Sequence, residues 1–186
     1  GCGRIGQTIA KACYDSFGMK IVGYDEFLPE AVQKSLSSWI EFVSLEELCR
    51  RSNVITMHVP LTDGTRNLIN AERLALMQKD TVIVNTSRGG VIDEAALAAA
   101  LKAGQIGGAG LDVFEDEPPK ADNPLLSCET ALLTPHAAAL TTECVLRMAV
   151  AGSQRVIDMA AGFNPGLVAN PEVLKLERWK GLKAKG

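Results

Sequence analysis

The chain has 186 residues, 47% of them apolar, and 19 Lys and Arg against 22 Asp and Glu leave a formal net charge of -3. That is enough for one domain with a sizeable core plus a tail, and the mild acidity gives no basis for a nucleic-acid or anionic-membrane partner. No apolar run reaches bilayer-spanning length and no signal peptide is visible, so a soluble, cytoplasmic protein is expected.

The first element is a turn. Gly1-Cys2-Gly3-Arg4-Ile5-Gly6 has G-x-G-x-x-G spacing, and a helical stretch with apolar Ile5, Ile9, Ala10 and Cys13 follows it and ends at Gly18. The run Ile21-Val22-Gly23-Tyr24 then closes on Asp25. Glycines let the backbone turn tightly and approach a pyrophosphate at a helix N-terminus, and an acid about 20 residues on accepts hydrogen bonds from an adenosine ribose. A tight strand-to-helix turn alone would not need that acid, so a dinucleotide site is the reading. The fingerprint normally follows a strand in the middle of the sheet. Without it the sheet would be open between the strand ending at Asp25 and those after residue 50, so upstream sequence carrying that strand is expected.

Further β-branched runs follow, each with a helical pattern behind it: Ile40 to Val43, Asn53 to Val59, Thr81 to Asn85, Ala109 to Val113 and Ala131 to Thr134. Several lack polar alternation, as strands covered on both faces do. Ser44 with Glu47 spells a capping box before Leu45 to Arg51, Asn70 can cap Ala71 to Met77, and Asp93 can cap Glu94 to Lys102. Such alternation gives an α/β fold with a doubly wound parallel sheet of the Rossmann type. After Thr134 the pattern changes. Thr141 or Thr142 can cap a long helix to about Gly162, Asn164-Pro165 and Asn170-Pro171 break the chain, and Leu167-Val168 between them reads as extended. The basic stretch Lys175 to Gly186 reads as a solvated terminus. The expected division is a dinucleotide domain over 1–140, a long helix over 141–165 and a C-terminal segment over 166–186.

The five cysteines, Cys2, Cys13, Cys49, Cys128 and Cys144, are scattered without metal-ligand spacing. They read as reduced thiols of an intracellular protein, and no metal is expected.

In open parallel sheets ligands sit beyond the carboxyl ends of the strands. Arg88 follows Val82-Ile83-Val84-Asn85, Glu117 follows Leu111-Asp112-Val113-Phe114, and His136 follows Leu132-Leu133-Thr134-Pro135. Singly, each has a plain structural explanation: a surface cation beside a Gly-Gly turn, a member of a solvated acidic loop, a cap before the long helix. Together they form a set suited to hydride chemistry on a carbonyl. Arg88 can grip a carboxylate with two parallel hydrogen bonds, His136 can give a proton to the carbonyl oxygen, and Glu117 can hold the imidazole in its donating form.

These motifs, with His58-Val59-Pro60-Leu61-Thr62, Asn85-Thr86-Ser87-Arg88-Gly89-Gly90 and Gly110-Leu111-Asp112-Val113-Phe114, resemble in order the signatures of the D-isomer-specific 2-hydroxyacid dehydrogenases. That group includes phosphoglycerate dehydrogenase and hydroxypyruvate or glyoxylate reductase. The resemblance runs from Gly1 to about Pro171 and implies Arg88, Glu117 and His136 as the catalytic set. It places Arg4 and Ile5 at the pyrophosphate of NAD, Asp25 at the adenosine ribose, and Val59 with Pro60 beside the adenine. Thr86, Asp112, Ala138 and Ala139 would lie around the nicotinamide. Gly1, Gly3, Gly6, His58, Thr65 and Ser87 complete the cofactor wall, to which Arg88 and His136 also belong. His58 also reads as a buried, hydrogen-bonded histidine at a strand end.

The resemblance implies a reductase of small 2-oxoacids such as hydroxypyruvate or glyoxylate, or a dehydrogenase of 3-phosphoglycerate type, working as a homodimer. Asp25 favours NAD over NADP, because a carboxylate repels a 2'-phosphate and neither Tyr24 nor Glu26 supplies a cation. Such proteins usually carry a separate N-terminal substrate domain with no counterpart in this sequence; the helix over 141–165 resembles the one that crosses their interdomain cleft, and residues after about Gly166 would pack on that domain. An NAD-sensing corepressor of the same superfamily is the alternative. Turnover would separate the two.

Overall fold

The computed structural model describes residues 1–166 and 168–184. Its elements in chain order are α1 (Arg4–Phe17), β1 (Ile21–Gly23), α2 (Glu30–Leu36), β2 (Ile40–Phe42), α3 (Leu45–Arg51), β3 (Val54–Met57), α4 (Ala71–Leu74), β4 (Val82–Asn85), α5 (Glu94–Lys102), β5 (Gly108–Leu111), β6 (Ala131–Leu133) and α6 (Thr142–Ala160). Every strand pair is parallel, as the alternation of β-branched runs and helical patterns requires. The chain is an α/β protein, and it divides into two compact units, Gly1–Ala138 and Ala139–Gly186.

Local signals set most helix ends. Gly18 stops α1 with φ at 63°, the left-handed conformation that favours glycine. The side chains of Ser44, Asn70 and Asp93 accept the amide hydrogens of Glu47, Arg73 and Ala96, capping α3, α4 and α5. The Ser44 box is only half formed, since the Glu47 carboxylate turns to Arg51 at 3.5 Å. Helix α4 ends at Leu74 rather than Met77, because Leu76 and Met77 bond to the carbonyls of Arg73 and Leu74 and tighten the chain into i to i-3 turns. Helix α2, which begins after Pro29, carries too weak an apolar stripe to stand out in the sequence.

The sheet is in two pieces. β1 pairs with β2, and β3, β4, β5 and β6 pair in that order. Between the pieces lies a cavity of about 660 Å³, lined by β1, β3 and the Ile9, Ala10 and Cys13 side of α1. It falls between the strand leading to Asp25 and the first strand after residue 50, where the sequence reading puts a gap.

One face of the four-stranded sheet holds the core. Ile55, Ile83 and Leu111 on it pack with Cys49, Leu74 and Leu97 of α3, α4 and α5. Those helices lie together on that side, and on the opposite face Val54, Val82 and Leu132 are 48%, 37% and 72% exposed. In the second unit, Thr141 accepts the Cys144 amide and caps α6, and Phe163 bridges to Lys183. Val168 is in no strand, and Leu167, Lys185 and Gly186 lie outside the described residues. Among the described residues no helix is long and apolar enough to cross a membrane.

Leu97 is fully buried, so Leu97→Ala should cost about 2–5 kcal/mol, whereas loss of the Asp93 cap in Asp93→Ala should cost about 1 kcal/mol. Urea midpoints of the two variants check that order.

Candidate active site

The glycine turn is built by close approach. A Cβ on Gly1 would stand 2.7 Å from the His58 carbonyl, and one on Gly6 would stand 2.1 Å from the Gly1 carbonyl oxygen. Both positions need glycine so that α1, the turn and the end of β3 can meet. Gly3 has nothing within 4 Å of its Cβ position, so the turn presents open backbone at the start of α1. Arg4 and Ile5 in the first turn are exposed. Asp25 ties this turn to β1: one carboxylate oxygen accepts the Cys2 amide at 2.7 Å and the other accepts the Phe27 amide at 3.0 Å.

Beside the turn is a cavity of about 420 Å³, lined among others by Gly3, Tyr24, Asp25, Val59 and Pro60. Thr65 shapes its far wall, donating to the Pro60 carbonyl at 2.6 Å and accepting the Thr62 amide at 2.8 Å. His58 borders it with Nε2 2.9 Å from the Thr56 hydroxyl, and burial pushes its pKa below the ordinary imidazole value.

At the end of β4, the Asn85 side chain, 2% exposed, organises the next turn. Its oxygen accepts the Ser87 amide at 3.0 Å and the Ser87 hydroxyl at 2.8 Å, and its nitrogen donates to the Arg88 carbonyl at 2.9 Å. Thr86 and Arg88 are exposed, with the Arg88 guanidinium donating to the Ser87 carbonyl at 2.6 Å. A Cβ on Gly89 would stand 1.7 Å from the Phe114 carbonyl oxygen, so this turn lies backbone to backbone against the segment after β5.

That segment carries two carboxylates with different surroundings. Asp112, 4% exposed, accepts the Thr134 hydroxyl at 2.6 Å and the Ala137 amide at 2.8 Å on one oxygen, and the Ala138 amide at 2.9 Å on the other. Burial pushes its pKa up, but those three donors outweigh burial and hold it below the ordinary range. Its bonds bracket His136, whose φ of 53° is left-handed and costs about 1–2 kcal/mol for a residue with a side chain. Glu117 accepts the Phe114 amide at 3.1 Å on one oxygen and meets His136 Nδ1 at 2.7 Å with the other. The His136 hydrogen bond, then the Phe114 amide, hold its pKa below the usual carboxylate range.

The structure therefore joins Glu117 to His136 directly and brings the Arg88 turn against the same segment, while the Arg88 side chain bonds to its own turn. Ala138 reaches the site through its backbone amide, and Ala139 belongs to the second unit. Sequence reasoning missed Asn85 and Thr134 as builders of the site. The signal was present, since each is a polar residue at the carboxyl end of an apolar run. Among the described residues no cluster of His, Cys, Asp or Glu could hold a metal ion.

Comparison with known proteins places the chain. Residues 1–138 match the family described as D-isomer specific 2-hydroxyacid dehydrogenase, NAD binding domain. The chain is 52% identical over 144 residues to the D-3-phosphoglycerate dehydrogenase of Methanocaldococcus jannaschii, covering 77% of this chain and 27% of that protein. It is 44% identical over 176 residues to the glyoxylate reductase of Korarchaeum cryptofilum, covering 95% and 52%. Among solved structures it resembles D-lactate dehydrogenase with NAD+ from Lactobacillus jensenii, with a TM-score of 0.79, 27% identity and coverage of 90% and 53%. The chain thus spans about half or less of the length of these relatives.

The lowered pKa of Asp112 has a definite sign in stability. Its contribution is complete above the ordinary carboxylate value of 3.8 and is lost as pH falls through the lower folded-state value. Asp112→Asn should therefore destabilise by about 1–3 kcal/mol at neutral pH and flatten the loss of stability on acidification. Urea midpoints at neutral pH and near about pH 3 measure both effects.

Proposed function

Since the chain belongs to the D-isomer specific 2-hydroxyacid dehydrogenase family, whose NAD-binding domain it carries, we propose that its site moves a hydride between NAD(H) and C2 of a small 2-oxoacid or D-2-hydroxyacid. The observation that carries this reading is the Glu117–His136 pair at 2.7 Å, placed on two successive strand ends of a sheet whose first turn is shaped for a dinucleotide. The residues fit that cofactor: the open backbone at Gly3 suits a pyrophosphate, Asp25 suits a ribose, and Val59 and Pro60 give the cavity an apolar wall. When bound, the nicotinamide supplies or receives the hydride. The rest is the work of side chains.

In the reducing direction, Arg88 swings from the Ser87 carbonyl to take the substrate carboxylate in its planar fork. His136 Nε2 gives a proton to the carbonyl oxygen as the hydride arrives at C2, so that one hydride and one proton make the hydroxyl. Glu117 stays ionised because its pKa is held low, and it stabilises the imidazolium before transfer through Nδ1–H. Oxidation of the hydroxyacid runs the same steps backwards, with His136 taking the proton. Hydroxypyruvate, glyoxylate and 3-phosphoglycerate are the substrate types this reading covers, in agreement with the named activities of the relatives. A cytoplasmic homodimer belongs to the same reading, on the strength of the family resemblance.

Two outcomes test it on the encoded protein. His136→Asn should lower kcat about a hundredfold or more with little change in NADH affinity, and Arg88→Lys should lower kcat/KM for every 2-oxoacid tried. Steady-state kinetics decide, and a protein that binds NADH without measurable turnover of any 2-oxoacid would instead be a sensor. Asp25→Ala should weaken NADH and narrow its preference over NADPH, because acceptor and repulsive charge leave together. Titration with both cofactors reads this, and an unchanged ratio would remove Asp25 from the ribose site.

A further inference from the structure

Glu94 opens α5 and has no place in the chemistry described above, yet its carboxylate holds both ends of the loop that carries Glu117. One oxygen accepts the Glu115 amide at 2.5 Å and the other accepts the Asn123 side-chain nitrogen at 2.6 Å. Asn123 is itself fixed, for its oxygen accepts the Leu125 amide at 3.0 Å and Leu125 is fully buried. Helix α5 is equally fixed, with Leu97 at 0% and Ala98 at 2% exposure in the core. The 115–123 loop is therefore fastened at its two ends to one rigid helix by one side chain.

The two fastenings matter because of what lies between them. Successive amides of the segment point to different acceptors, that of Phe114 to Glu117 and that of Glu115 to Glu94. The Phe114 carbonyl is pressed against Gly89, so the peptide between Phe114 and Glu115 has a wall on one side and Glu94 on the other. Glu94 thus holds the Glu115 amide at the start of the loop and the Asn123 side chain at its end, and the backbone between them carries Glu117. We infer that Glu94 is the positioning residue of the Glu117–His136 pair, acting through the two fastened ends of the 115–123 loop on the reaction proposed above. The alternative is an acid in the first turn of a helix that only complements the helix dipole and is indifferent to the site.

The charged groups facing the pair are Arg88 and Asp112, and on the loop itself Glu115 pairs with Arg66 at 3.3 Å and Asp116 with Lys120 at 2.7 Å. None of these is altered by Glu94→Ala. That variant should lower kcat about tenfold with NADH affinity within about twofold, and should move the acidic limb of kcat/KM to higher pH, as Glu117 loses the restraint that keeps its carboxyl low. Glu94→Gln keeps one acceptor and should fall between Glu94→Ala and the parent. In a Glu117→Gln background, Glu94→Ala should add nothing further to the loss of kcat, since residues acting in series are not additive. The Nδ1 proton resonance of His136, assigned by its loss in His136→Asn, should disappear in Glu94→Ala, as it should in Glu117→Ala.

A Glu94→Ala protein with a lower melting midpoint but an unmoved pH limb and an intact His136 resonance would overturn the inference, as would full additivity with Glu117→Gln. Should Glu117→Gln leave turnover intact, the functional reading fails, and the His136 resonance in Glu94→Ala still decides whether Glu94 positions the pair.

Discussion

The site rests on the short segment that leaves β5, because all three of its catalytic candidates take their positions from that one piece of backbone. Gly89 lies against the Phe114 carbonyl and so registers the Arg88 turn on it. The Phe114 amide turns Glu117 inward, and Asp112, two residues earlier, holds the backbone on both sides of His136. A sheet-end site assembled from three separate loops would depend on the wander of each. Here the loops bond to one another, and the segment itself leaves a strand whose Ala109 and Leu111 are buried. Contacts of this kind are stiff, because interiors packed at crystal-like density transmit displacement instead of absorbing it.

The two carboxylates of the segment show how environment divides labour between identical groups. Asp112 is buried and spends its two oxygens on three donors, which suits a structural anion that stays ionised and moves nothing. Glu117 divides its oxygens, one to the backbone and one to His136, so it couples the fold to the imidazole. With Glu117 ionised, the hydrogen-bond network assigns the proton to Nδ1 and leaves Nε2 as the nitrogen available for chemistry. The left-handed backbone at His136 is the strained point of the arrangement, and the bonds of Asp112 on either side of it supply the compensation.

Much of this was legible in the sequence. The glycine turn, Asp25, the order of strands and helices and the caps at Ser44, Asn70 and Asp93 all rest on local rules, and each appears where those rules put it. Glu117 and His136 were found from their places just beyond strands, although nothing in the sequence says that they touch. What stayed hidden depends on tertiary arrival. Helix α2 has no strong period, and Glu94 reads as an ordinary first-turn acid. Asn85 and Thr134 act only because another strand end stands beside them.

Asp25 shows the same economy at the other end of the site. A carboxylate has about four lone-pair directions, and here the Cys2 and Phe27 amides take one on each oxygen. The remaining directions are those a ribose diol would use in the proposed complex. The acid that would choose between the two dinucleotides is thus also the acid that holds the glycine turn against β1. Replacing it to invert cofactor preference removes a tie on the pyrophosphate turn as well. Any such exchange must therefore restore an acceptor for the Cys2 amide before a new cation can act on a 2'-phosphate.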